Sequence, residues 1–324
     1  MRAQNRFTVL LQQIRAAGCF DYAPWRSIAS LAIHLLLSGI AFVASSCTAL
    51  LVAVPLFLLG SFLFYRIGWL MHDAAHNAVF ANAHSNRLFA AMTAGILGEF
   101  PSGWRYGHDC HHASPNVLGS DMDQSERWDP ARRYRSMLTA FPGIMLLTRY
   151  KGYYLPKTLL LLGLRDGFFC RRESPRTFLR ELVTSVVSLL LQATAMVWLF
   201  GPWGILWFLA HTSIGMLYLN TAFMGNHYDL PSFEAAAADK LDYVELQIRT
   251  ARNYAGGIWA RFVFGGLEHQ IEHHLFPTMP RHRFRRAEPI VRAFCEHHGL
   301  PYEVLPFSEC IRRALRFHIG PSRA

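Results

Sequence analysis

Three histidine-rich boxes hold the residues of this chain best suited to chemistry: His72-Asp73-Ala74-Ala75-His76, His108-Asp109-Cys110-His111-His112 and Gln270-Ile271-Glu272-His273-His274. Seven of the sixteen histidines fall inside them. Helical residues three and four apart share a face, so each box can aim two or three imidazoles at one point. Neutral imidazole is the commonest protein ligand for transition metals. One such pair arises easily by chance, but three boxes, each at the edge of a long apolar run, point to a metal site. Donor type alone admits zinc as readily as iron. An eighth histidine, His227, follows Asn226 at the end of another apolar run.

The elements that must position these boxes are membrane helices. Residues 28–65 contain no Asp, Glu, Lys or Arg, about twice the roughly 20 residues that one bilayer crossing needs. The polar centre Ser45-Ser46-Cys47-Thr48 predicts a hairpin with spans near 28–45 and 48–70. A second uncharged run, Leu182 to Gly225, predicts another hairpin turning at Gly201-Pro202-Trp203-Gly204, where proline and glycine disfavour continued helix. A large soluble enzyme would not carry two uncharged runs of double length. Of the 32 Lys and Arg, four lie in the N-terminal segment to Arg26, fifteen in 66–180, thirteen in 226–324 and none in the two turns. By the positive-inside rule, both termini and the middle segment face the cytoplasm, and all three boxes land on that side. The net charge of +10 then reflects topology and anionic headgroups; no nucleic-acid partner is expected.

HDxxH, HxxHH and the stretch Gly265-Gly266-Leu267-Glu268-His269-Gln270-Ile271-Glu272-His273-His274-Leu275-Phe276-Pro277 closely resemble the membrane fatty acid desaturases. QIEHHLFP is similar to their acyl-lipid and front-end branch, in which Gln replaces the first histidine of the third box. The resemblance covers roughly residues 30–300. It implies a non-haem di-iron oxygenase, with two Fe, that removes two hydrogens from an acyl chain using O₂ and two electrons. It also implies His72, His76, His108, His111, His112, His227, His273 and His274 as ligands, with Asn226 and Gln270 acting indirectly. The chemistry suits the residues: an unactivated C–H bond offers no acidic proton, so acid–base groups alone cannot begin the reaction, and a metal centre carries that step. Asp73, Asp109 and Glu272 could hold the second ring nitrogen of a ligand; solvated acids are the plainer alternative.

The expected fold is therefore an all-α integral membrane protein, with four transmembrane helices as two hairpins under a cytoplasmic histidine-rich di-iron cap. Its parts would be a cytoplasmic N-terminal tail (1–27), a membrane desaturase domain (28–300) and a cytoplasmic C-terminal tail (301–324). The substrate would be an acyl-lipid, acyl-CoA or acyl-carrier-protein thioester, in contact with membrane lipids. No HPGG-type haem motif and no CxxC occurs among the six cysteines, so an external electron donor of ferredoxin or cytochrome b5 type, with a reductase, is expected. A hydroxylase or acetylenase on the same scaffold is the alternative within the class. A metal transporter or sensor is the alternative outside it, and would use polar groups inside the spans, where only His34 and His211 stand. His269 shares a helical face with His273 and competes with Gln270 for the third box, while His84, His282, His297, His298 and His318 read as surface residues. Trp104, Tyr106 and Trp259 suit either an acyl tunnel or an interfacial belt. Residues 137–164 suggest interfacial amphipathic helices. The basic run Arg281–Arg286 could meet carrier phosphates or an acidic donor, or be a plain positive-inside surface.

Overall fold

The computed structural model describes residues 3–121 and 175–319; the amphipathic segment expected over 137–164 lies outside them. The first described stretch holds α1 (Ala3–Ala16), α2 (Pro24–Ser46), α3 (Leu50–Tyr65), α4 (Ile67–Ala75), α5 (Ala83–Leu97) and α6 (Pro101–Ala113). The second holds α7 (Pro175–Phe200), α8 (Gly204–His227), α9 (Ala235–Ala238), α10 (Tyr243–Arg249), β1 (Asn253–Ala255), α11 (Gly257–Phe264), α12 (Gln270–Leu275), α13 (Phe284–His298), β2 (Val304–Pro306) and α14 (Phe307–Ile319).

α2 begins at Pro24, a first-turn position where the missing N–H has no helical partner anyway, and runs 23 residues, roughly 34 Å at helical rise. Its outward residues Ile33, Leu36 and Ile40 are exposed, whereas His34, Ser38, Phe42 and Ser45 face inward. An apolar outer face over a small and polar inner one is the pattern of a helix solvated by hydrocarbon. α2 packs along α3, and the Ser45 hydroxyl donates to the Ala53 carbonyl at 2.8 Å across the turn. Arg66 separates α3 from α4, so the second span carries His72 inside its final helix. α7 and α8 pack against each other around a short 3-10 turn at Gly201–Trp203, where proline and glycine placed it. Gly215 lets α8 cross α3 closely, since a Cβ there would overlap the Tyr65 ring.

Among the described residues, three stretches are long and apolar enough to cross a membrane: Pro24–Ser46, Leu50–Ala75 and Leu179–His227. The last is 49 residues long and comprises most of α7 together with α8. The shorter helices form a cap whose core gathers Leu10, Ile14, Val244, Ile248, Ile271, Leu275, Val291 and Phe294.

Two features add to the expected layout. The end segments pack into the fold: α1 contributes Leu10 and Ile14 to the cap core, and α14 packs on α8. Both are amphipathic sequences whose apolar stripes find a partner surface. Among the described residues the helical fold also includes a small parallel strand pair, with Asn253 opposite Val304, too short to leave a periodic signal in the sequence.

Candidate metal centre

Each box owes its position to a helix end. α4 stops at His76 because Asn77 takes a left-handed conformation (φ 59), which asparagine tolerates better than most residues. His72 lies four residues earlier, on the same face. α6 carries His108, His111 and His112, and α8 delivers Asn226 and His227 in its last turn. α12 holds Gln270, His273 and His274. Before it, Gly265 and Gly266 adopt φ 61 and 110, and a Cβ at either would meet Trp69 or Arg281. The double glycine is what lets α12 approach α4.

Eight buried histidines converge as two sets. His72, His76, His108, His112 and His273 form one; His111, His227 and His274 form the other. Within each set, one ring nitrogen of every member lies within 4.8 Å of the others. The sets adjoin, the rings of His112 and His274 stacking at 4.4 Å. The Nε2 of His108 is 3.2 Å from that of His72 and 3.2 Å from that of His112. Imidazole nitrogens so close either share a proton or direct lone pairs at one cation. Burial, followed by neighbouring imidazoles, holds His112, His273 and His274 well below the ordinary histidine pKa, keeping them in the neutral form that metals require.

The arrangement fits a metal on its own evidence. Nε2 of His76, His273 and His274 is buried without a hydrogen-bond partner, as are Oδ1 of Asn226 and Oε1 of Gln270. Unsatisfied buried polar atoms cost on the order of 1–3 kcal/mol each, which coordination would offset. Meanwhile the other ring nitrogens are tied down. Nδ1 of His111 faces Asp121 at 2.9 Å, Nδ1 of His227 faces the Thr250 carbonyl at 2.7 Å, and Nδ1 of His274 faces Oε1 of Gln247 at 2.9 Å. Such contacts fix the tautomer, leaving Nε2 to point inward.

The acids inside the boxes divide. Asp73 stands 3.4 Å from Nδ1 of His72 and is itself gripped by Arg281, which also donates to the Trp69 and Gly265 carbonyls. Asp109 turns outward, its side chain 55% exposed and paired with Arg105 at 3.4 Å; it touches no ligand, because its helical neighbours already fill the inward face. Glu272 is buried but serves structure: Tyr302 donates to it at 2.6 Å and Asn253 at 2.8 Å. Burial raises its pKa to about 7.

His269 lies outside both sets, among Glu268, Glu272 and Glu288, whereas the Gln270 amide reaches within 3.0 Å of the His227 Nε2. His211 meets Ser61 at 2.9 Å and His34 the Ser30 carbonyl at 2.6 Å; both are satisfied within the helices, which removes the observation a transporter would need. Trp104 stacks on His108 with centroids 4.4 Å apart, while Trp259 is 76% exposed, so the two tryptophans have different surroundings. Asp121, Gln247 and Asn116 join the site without any expectation from the sequence. Asn116 (φ 56) donates to the His227 and Pro231 carbonyls at 3.2 and 3.1 Å, tying the second box to the exit of α8. None of the three carries a motif; only Asn116, close behind the second box, offers a hint.

Residues 48–306 match the family model described as fatty acid desaturase. The chain is 29% identical over 313 residues to the Delta(5) fatty acid desaturase fat-4 of Caenorhabditis elegans, covering 92% of this chain and 69% of that one. It is 28% identical over 319 residues to the Delta(8)-fatty-acid desaturase of Euglena gracilis (93% and 74% covered). Over 327 residues it is 28% identical to the acyl-lipid 8-desaturase of Rebecca salina (96% and 73%). Apolar helices of membrane-spanning length and a buried histidine metal site agree with these likenesses. The chain belongs to the fatty acid desaturase family and is, by that membership, a membrane oxidoreductase acting on a fatty acyl chain.

Proposed function

We propose that the chain desaturates an acyl chain with O₂ at two irons, one in each histidine set. The observation that carries this is the division of eight buried histidines into adjoining sets of five and three. When bound, the irons supply the oxidising power that breaks two unactivated C–H bonds, four electrons in all (two from the substrate, two from the donor) taking O₂ to two waters. The chain's own residues hold the geometry. Asp121, Gln247 and the Thr250 carbonyl lock imidazole orientation. Asn226 and Gln270 act on a water or a neighbouring ligand, an assignment supported by their unpartnered oxygens. Trp104 closes one side of the larger set and excludes water from it.

α2, the α3–α4 pair, α7 and α8 are four crossings, with the cap and both ends cytoplasmic; the partition of Lys and Arg supports this orientation. Similarity to relatives named for Delta(5) and Delta(8) positions supports a double bond placed toward the carboxyl side. The acyl group arrives on a lipid, CoA or carrier protein, and electrons from a separate ferredoxin or cytochrome b5 system.

Two measurements test the reading. Purified protein holds two irons per chain, and gas chromatography of lipids from expressing cells shows a new double bond that Ala at His76, His111 or His273 abolishes. A zinc-only protein with full activity, or a hydroxylated product, would refute it.

A further inference from the structure

Beside the metal centre, where α2 begins and α3 gives way to α4, lies a recess of about 310 Å³. Its lining includes Arg26, Arg66, Arg261, Arg281, Arg285 and His282, with hydroxyls of Ser27 and Ser30 from the start of α2. One carboxylate, Glu268, shares the lining; it stands 3.8 Å from Arg261 and accepts from the Gly266 N–H at 2.9 Å. Arg281 is engaged with Asp73. Among the described residues, Arg26, Arg66 and Arg285 form no ion pair; Arg66 donates to the Phe262 carbonyl and lies over the Phe262 ring, while its buried Nε has no hydrogen-bond partner. Burial first, and then the neighbouring arginines, hold His282 at a pKa of about 4.

Concentrating like charges in a recess is unfavourable until an anion enters. All five cationic side chains are arginine, whose planar fork suits the oxygens of a phosphate better than a point charge does. The recess begins at the first turn of α2, just above the exposed apolar residues Ile28 and Ile33, which puts it at headgroup depth. Its size suits a headgroup and is too small for the face of an acidic protein. Arg281 forms a common wall with the metal centre, since it holds Asp73 beside His72.

We propose that this recess binds the phosphate of the acyl carrier, a glycerophospholipid or a CoA thioester, and so anchors the acyl chain next to the metal centre. The assignment rests on the desaturase reading and on α2 as a membrane span.

The test uses full-length protein in detergent and four probes: dioleoylphosphatidate against dioleoylglycerol, and coenzyme A against pantetheine. Wild type should prefer the phosphorylated member of one pair, and which pair responds identifies the source. Arg261→Gln with Arg285→Gln should weaken that probe on the order of tenfold for each guanidinium removed, leave the phosphate-free partner unchanged and leave bound iron intact. If the double variant loses iron, Arg26→Gln on the exposed wall replaces it, with the same tenfold loss expected. Equal binding of phosphorylated and phosphate-free probes, or equal binding by wild type and variants, overturns the proposal. Either result alongside iron-loaded, double-bond-forming wild type sinks only the recess; wild type without iron or product sinks the reading beneath it.

Discussion

In each of His111, His227 and His274 one ring nitrogen is engaged, by Asp121, the Thr250 carbonyl or Gln247, so under the proposed reading the other is the one that would hold the metal. Removing such a partner frees the ring without deleting the donor. Asp121→Ala and Gln247→Ala should therefore weaken metal affinity by roughly 10–100-fold, while Asp109→Ala leaves it unchanged; metal titration of purified variants checks the contrast. Gln270 raises a separate question. Its amide has donors and an acceptor and approaches His227 rather than replacing a histidine. Gln270→Ala should keep most of the iron and lower turnover by roughly 10–100-fold, whereas His273→Ala should lose both. Equal iron loss in the two variants would make the amide a direct ligand. The candidate donors are legible in the sequence because three histidine boxes, each beside a long apolar run, are rare enough to notice. Asp121 and Gln247 are not, because ordinary polar residues acquire their role only from tertiary contact. Asp109 looks like a partner of a ligand only because spacing alone does not say which way a side chain turns.

At the scale of elements, the cap works by pressing short helices onto one another. α12 has only six residues, too few to hold together by local hydrogen bonding. Its Ile271 and Leu275 are fully buried with Leu10 and Ile14 of α1 and Val291 of α13. Leu10→Ala or Ile14→Ala should cost about 2–5 kcal/mol and, because α12 bears His273 and His274, should lower iron occupancy although both residues are remote in sequence. Thermal unfolding paired with iron analysis tests this; a destabilised variant with full iron would separate α1 from the centre. Uncharged apolar runs make the long spans legible, their ends falling within a few residues of the glycine, proline and serine signals. α1 reads as a tail because its 14 residues are too few to cross a bilayer, and an amphipathic stripe does not announce its partner.

For the whole molecule, the proposed orientation has a direct readout. A cysteine placed at 203 should be labelled from outside intact cells and one at 320 should not; the reverse pattern would put the boxes on the wrong side of the membrane. The ligands also bear on how the molecule comes to exist. Each set draws on distant parts of the chain: the first spans His72 to His273, and the second has His111, His227 and His274. Synthesis runs from the N-terminus, so no nascent chain can complete either set until the last box has left the ribosome and α8 has been inserted. Until then the early histidines are an incomplete donor set. Under the proposed reading, metal loading would then be the closing event of biogenesis, possible only once all three boxes have met.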